Sequence, residues 1–178
     1  MSNITNEQIE KVVIDSGVVY VNYGLPNERL LAPCRGDNTF DAEREIREIP
    51  VNGTRGKTKG LRRQTTENAK LTLNLMDLSL QNLQIALPGS KLELNKLSNG
   101  WKISSSDYLS NVVLIGTTLD DKYRKITLYN ALMDEALSFA MTDKDESVVE
   151  LTLSAHYDPE DADNKLWDIE DLDTLAAE

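Results

Sequence analysis

The sequence is poor in the residues that enzyme sites and covalent cross-links require. It has one cysteine, one histidine and 6% aromatic residues in 178 positions. The single Cys34 excludes an internal disulfide, and His156 has no second histidine with which to share a zinc ion. A site built from carboxylates alone, as in glycosidases with a paired Asp and Glu, stays open as an alternative, although the low aromatic content argues against sugar subsites. We therefore predict a protein that is not an enzyme and has no cofactor.

Long apolar runs are also missing. No stretch approaches the roughly 18 residues that a membrane-spanning helix needs, and the first ten residues lack the basic and apolar regions of a signal peptide. We expect a soluble chain without a membrane partner. The length predicts one domain, residues 1–178, with an adequate hydrophobic core.

Charge is unevenly distributed along a chain whose net charge is −11. From residue 158 to the end there are nine acidic residues and only one basic residue, Lys165. Residues 51–66 contain five basic residues and no acid: Arg55, Lys57, Lys59, Arg62 and Arg63. A basic loop and an acidic tail complement each other between copies of one chain, the alternative being two solvated surface segments. Specific nucleic-acid binding is not expected, because aromatic side chains do not interleave the basic residues.

Two segments resemble known binding motifs but lack the residue order or spacing of those motifs. The glycine-rich loop at 52–60 lacks the order of a phosphate-binding loop. The acidic stretch 158–168 has carboxylates that could bind calcium, but it lacks the central glycine and final glutamate of an EF-hand loop. We predict no metal site, and weak calcium binding by the tail stays an alternative.

Alternation of apolar and polar residues is the dominant pattern. It runs through 69–75 and 149–157, and further strands are predicted at 111–119, 122–133 and 136–142. The Asp15-Ser16-Gly17 turn predicts a hairpin that leads into the strand 18–21. Several short strands separated by turns predict a mainly β fold, an antiparallel two-sheet sandwich or a barrel.

One segment has helical spacing. An apolar stripe predicts a single short α-helix at about 77–87 that packs the stripe onto a sheet, and Pro88-Gly89 ends it. The stripe consists of Met76, Leu80, Leu83 and Leu87.

Three segments are predicted to extend from the sandwich. Charges on both faces of 41–48, followed by a flexible loop, predict an extended hairpin at 41–66. We also predict an N-terminal arm at 1–10 and an acidic C-terminal arm at 159–178. The C-terminal arm has apolar anchors at Leu166, Trp167, Ile169 and Leu172.

Three segments of the chain are distinctive: 18–24 (VVYVNYG), 30–40 (LLAPCRGDNTF) and 155–161 (AHYDPED), the last followed by Leu166-Trp167. Together with the strand spacing of most of the chain, they resemble the tail tube (major tail) proteins of siphophages that infect Gram-positive bacteria. The resemblance implies a sandwich with one flanking helix that forms hexameric rings. The rings stack into a tube that delivers DNA, and the long hairpin and both arms bridge successive rings. Implied partners are the chain itself, the tape measure protein and the tail terminator; the implied location is the virion tail, assembled in the host cytoplasm.

A tube for DNA needs a lumen that does not hold phosphates, because basic surfaces bind DNA tightly. The candidate lumen face is therefore the polar side of the last long strand with one residue of its neighbour: Glu150, Thr152, Ser154 and Thr127. Lys125 lies on the same predicted face as Thr127 and weakens that choice. The alternative function is a tail adaptor or receptor-binding sandwich that does not polymerise.

Overall fold

A computed structural model of the chain describes residues 5–31, 33–53, 55–141, 146–160 and 165–174. Within these ranges the chain is mainly β, with ten strands, two short α-helices and one 3-10 turn. The strands are β1 (Val18–Val21), β2 (Arg29–Leu30), β3 (Thr39–Glu48), β4 (Arg62–Leu75), β5 (Lys91–Glu93), β6 (Lys96–Ser98), β7 (Leu109–Thr117), β8 (Tyr123–Met133), β9 (Val149–Ser154) and β10 (Trp167–Leu172). The helices are α1 (Asn6–Glu10) and α2 (Leu80–Ala86), and the 3-10 turn is Ser105–Asp107.

The strands form two antiparallel layers that share β8. One layer has the order β2-β1-β7-β8, with β10 on the other edge of β8, and the second has the order β8-β9-β4-β3. The first part of β8 pairs with β7 and β10, whereas Leu132 and Met133 at its end pair with β9. The predicted antiparallel sandwich is thus confirmed, and the described strands do not close into a barrel.

The core lies between the two layers. Leu71, Leu73 and Leu75 of β4 face the same interior as the fully or nearly fully buried side chains of β1, β7 and β8. Cross-strand pairing places Leu71 opposite Leu153, and Leu73 opposite Leu151. The alternation predicted for 69–75 therefore produces one buried face, because successive side chains of a strand point to opposite sides.

The predicted helix exists, but its buried side is not the leucine stripe. Helix α2 buries Asn82 and Ala86, while Leu83 is half-buried and Leu87 is exposed. Asn82 satisfies its amide inside the fold, since it donates to the backbone and carboxylate of Asp77 and accepts from the Arg29 guanidinium at 2.6 Å. A buried amide with all of these partners is stable without an apolar neighbour.

The predicted hairpin at Asp15-Ser16-Gly17 is wrong. Residues 12–14 lie beside 117–119 and β1 lies beside β7, so both pieces run along the same neighbouring strand. The turn residues form a bulge between these pieces. Asp15 accepts backbone hydrogen bonds from Gly17 at 3.1 Å and Thr117 at 3.0 Å, and Gly17 has the left-handed φ of 74° that suits glycine.

Three further segments differ from the prediction. Residues 136–141 form no strand, and residue 142 lies outside the described ranges. Residues 6–10 of the predicted N-terminal arm form α1, whose first turn is closed by reciprocal hydrogen bonds between Thr5 and Gln8. The predicted C-terminal arm contains β10, a strand of the sandwich itself, because its residues 167–172 pair with β8.

Candidate assembly surfaces

A two-stranded ribbon extends beyond the sandwich. We define the ribbon as residues 43–48 of β3 with residues 62–68 of β4, which pair with each other across one bulge. Strand β9 pairs with β4 only from Lys70 onward, so no third strand supports the ribbon among the described residues. Nearly every ribbon side chain is exposed. Charges on both faces explain this geometry, because neither face of such a strand can enter a core.

The end of the ribbon is basic. All five residues of the predicted ring-stacking loop, Arg55, Lys57, Lys59, Arg62 and Arg63, are exposed. In the described part of the chain none of the five forms an ion pair within 4.0 Å of a carboxylate. Arg63 lies directly opposite Arg47 in the ribbon. Like charges at opposed positions destabilise a strand pair, so this end of the molecule is suited to an acidic partner.

The acidic C-terminal strand is neutralised within its own chain. Three acids of the segment that contains β10 pair with three bases at the start of β8. The pairs are Asp173 with Lys122 at 3.2 Å, Asp171 with Arg124 at 2.8 Å, and Glu170 with Lys125 at 3.0 Å. The Arg124 hydrogen bond holds the pKa of Asp171 below its usual range. These carboxylates already have partners within their own chain, which weakens the predicted complementarity between tail and loop.

The predicted arm anchors divide into two kinds. Leu166 is buried in the core, and the Trp167 ring packs edge-on against Phe40 with 5.6 Å between centroids. Trp167 also donates its indole N–H to Glu67 at 3.1 Å. Ile169 is exposed. Within the single chain, Leu166 and Trp167 thus fasten β10 to the base of the ribbon, whereas Ile169 makes no core contact.

Three of the four predicted lumen residues lack the necessary surface, and that part of the prediction is wrong. Thr152 is buried and shares a hydrogen bond of 3.3 Å with Thr72, and Ser154 is buried and donates to Asp134 at 2.8 Å. Thr127 is buried between β7 and β10. Short hydroxyl side chains in the middle of a sheet are covered by their longer neighbours even on its polar face. Glu150 alone is exposed.

The histidine has structural contacts. The Nδ1 atom of His156 lies 3.2 Å from the carbonyl oxygen of Asn130 and 3.0 Å from that of Ser154, and Tyr108 packs edge-on against its ring. Two carbonyl neighbours favour a proton on Nδ1, so this nitrogen acts as a donor. Across the described ranges no three His, Cys, Asp or Glu side chains are grouped to hold a metal ion. No helix in those ranges has the length and apolar character to cross a bilayer.

Sequence reasoning missed one surface, the hairpin of β5 and β6. Its turn residue Leu94 is 99% exposed, and Trp101 just after the hairpin is 97% exposed. The signal was present, because these are large apolar residues within a polar segment that contains Lys91, Lys96 and Lys102. Strands β5 and β6 have only three residues each, and an alternation of apolar and polar residues over so few positions is too short to indicate a strand.

Known proteins offer limited comparison. No family model matches the chain, and no curated protein matches it. Its fold is similar to a chain in the tail of an empty gene transfer agent particle with C6 symmetry, at 10% identity and a TM-score of 0.45. It is also similar to a chain in the virion of a native gene transfer agent particle, at 9% identity and a TM-score of 0.43. Both likenesses cover 79% of this chain and 91% of the other. With TM-scores below 0.5, neither supports a conclusion about the function of this chain.

Proposed function

We propose that the chain is a non-catalytic structural subunit that assembles into stacked hexameric rings, the tail tube of a long-tailed phage through which DNA reaches the host. The observation that carries the proposal is the ribbon. Its two strands are exposed on both faces, and the five basic residues at its end form no ion pair within the described part of the chain. A strand pair with no third strand beside it invites pairing with another chain, and this agrees with the sequence resemblance to tail tube proteins.

The proposed partners follow from this role. They are copies of the same chain and other tail proteins such as the tape measure protein and the tail terminator. DNA passes through without specific binding, and the tube belongs to the virion after assembly in the host cytoplasm. Glu150 is the candidate lumen residue that keeps an exposed carboxylate, and a carboxylate repels DNA phosphates.

The basic end of the ribbon gives the test. The triple variant Arg55→Glu, Lys57→Glu, Lys59→Glu should lose polymerisation while its monomer stays folded, because exposed loop substitutions usually shift stability by only about 0.5 kcal/mol. The matched control is Arg55→Lys, Lys57→Arg, Lys59→Arg, which keeps the charge. Sedimentation and negative-stain microscopy of the wild type should show rings or tubes at high concentration.

Two results would contradict the proposal. Wild-type protein that stays monomeric at every concentration and salt, even when seeded, would favour the non-polymerising adaptor or receptor-binding module. Wild-type yields of tube from the glutamate variant would remove the electrostatic role of the loop.

A further inference from the structure

Two exposed apolar patches lie at opposite ends of β7. We define the hairpin patch as Leu94, Trp101 and Ile103, which precede the start of β7, and the end patch as Val12, Val13, Ile14 and Leu119, which lie beyond its end. Hydrogen bonds between Leu119 and Val12, and between Ile14 and Thr117, hold the end patch together. Nine residues of strand separate the patches by about 30 Å. A single copy therefore cannot bring them into contact.

The hairpin patch is exposed to an unusual degree. Leu94 and Trp101 are almost fully accessible, although each is large and apolar. Leu94 also has a left-handed φ of 47°, a conformation that favours glycine at a hairpin turn. A position that combines this backbone with a fully exposed apolar side chain indicates a role outside the isolated fold.

A cleft beside the end patch matches an indole group. Its volume is about 320 Å³, and Val13, Leu114 and Ile126 supply its apolar walls. Tryptophan has a large apolar body, and so it suits these walls.

The charges around the two surfaces have opposite sign. The segment that holds Leu94 and Trp101 contains three lysines, Lys91, Lys96 and Lys102, and one acid, Glu93. The end patch and its cleft are bordered by more acids than bases, namely Glu10, Asp15, Asp37, Asp120 and Asp121 against Lys11, Lys122 and Arg124. Opposite charge at the rim favours docking in one register. The occupant indicated for the cleft is therefore a second copy of this chain.

We infer that Trp101 of one copy enters the cleft beside Val13 of the next copy, while Leu94 extends the apolar contact. The contact joins unlike patches, so it is heterologous and continues from copy to copy until a ring closes or a filament grows. This inference rests on the proposed self-assembly and identifies one contact that produces it. The ribbon does not take part in it.

Tryptophan fluorescence tests the contact directly, because the chain has only two tryptophans. Assembly of the wild type should shift the Trp101 emission to shorter wavelength as water leaves the ring, and Trp101→Phe should remove that shift. Trp101→Ala should raise the concentration needed for assembly at least tenfold. Trp101→Phe should have a smaller effect, since it keeps an apolar aromatic ring. Circular dichroism checks that each monomer is folded.

A cross-linking experiment separates this inference from the proposed function. In a Cys34→Ser background, Asp37→Cys and Lys102→Cys variants are mixed under mild oxidation, and a disulfide dimer should form only in the mixture. Tubes from Trp101→Ala and Leu94→Ser at wild-type concentrations, without the mixed dimer, would overturn this contact and leave the tube proposal intact. A wild type that never assembles and gives no mixed dimer would overturn both.

Discussion

Asn82 illustrates how a single residue departs from its pattern. The leucine spacing of 76–87 predicts an apolar buried stripe, yet α2 turns Asn82 and Ala86 inward. The helix does so because Asp77 precedes it and Arg29 approaches from β2, and together they satisfy the Asn82 amide. Arg29 is 53 residues away along the chain. Periodicity describes only local neighbours, so a partner this distant could not be anticipated from it.

Tyr129 makes a testable contribution to the shared strand β8. Its hydroxyl donates to the Asp168 carboxylate at 2.9 Å, and burial together with this bond raises the pKa of Tyr129 to about 12. An unfolded tyrosine ionises near 10. Because the folded pKa is the higher one, the stabilisation is complete below pH of about 10 and is lost as the pH rises through about 12.

Tyr129→Phe should therefore lower the free energy of unfolding by about 1 kcal/mol at pH 8, the usual size of one hydrogen bond. The wild type should lose this advantage between pH 10 and pH 12. Urea unfolding at a series of pH values measures both quantities. Parallel pH dependence in the two proteins would show that Asp168 does not stabilise the neutral phenol.

At the level of elements, the sequence predicts the long core strands well and the acidic strand poorly. Strands β4, β7, β8 and β9 have apolar residues at alternate positions or in a continuous run, and β7, β8 and β9 lie close to their predicted bounds, whereas β4 begins seven residues before the predicted 69–75. The sequence predicts a free arm where β10 lies, because the segment WDIEDL carries three acids. Its stability depends on bases of β8 that lie directly opposite in the sheet. Cross-strand register of this kind is a property of the folded chain.

Strand β10 should be the first strand of the sandwich to loosen in acid. The pKa of Asp171 is lowered chiefly by its hydrogen bond from Arg124. Since the folded pKa lies below the ordinary value of about 3.9, the stabilisation is present above that value and is lost as the pH falls through the folded pKa. Hydrogen exchange at pH 7 and pH 3 should show lost amide protection in β10 while β4 and β9 stay protected.

Asp171→Asn supplies the control for this loss, because it removes the charge at neutral pH. The variant should already show part of the faster exchange in β10 at pH 7. Equal protection of β10 and β9 at pH 3 would contradict the idea that ion pairs hold the strand, and would assign its attachment to Leu166 and Trp167 alone.

For the whole molecule, the sequence predicts the extended ribbon better than it predicts which of the other residues are exposed. The charged alternation of 41–48 has no buried face, and the ribbon is its direct result. The lumen prediction relied on the polarity of the side chains. It failed at Thr127, Thr152 and Ser154 because these polar side chains lie in the middle of a sheet and are buried. The cleft is formed by residues far apart in the chain, so it is not visible as a motif.

The loop at the end of the ribbon, residues 50–60, should be necessary for assembly and unnecessary for folding. Ile49 donates a backbone hydrogen bond to Leu61 at 2.8 Å, so these residues already stand opposite each other at the end of the strands. Replacing residues 50–60 with Asn-Gly would close the hairpin with a two-residue turn. A shorter loop costs less entropy to close, which should leave the thermal midpoint of the monomer unchanged or slightly higher. The shortened chain should stay monomeric in sedimentation where the wild type forms tubes, because three of the five basic residues that we propose meet the next ring are gone. Normal tubes from this variant would mean that stacking depends on another surface, and a monomer that fails to fold would mean that the loop is needed for folding after all.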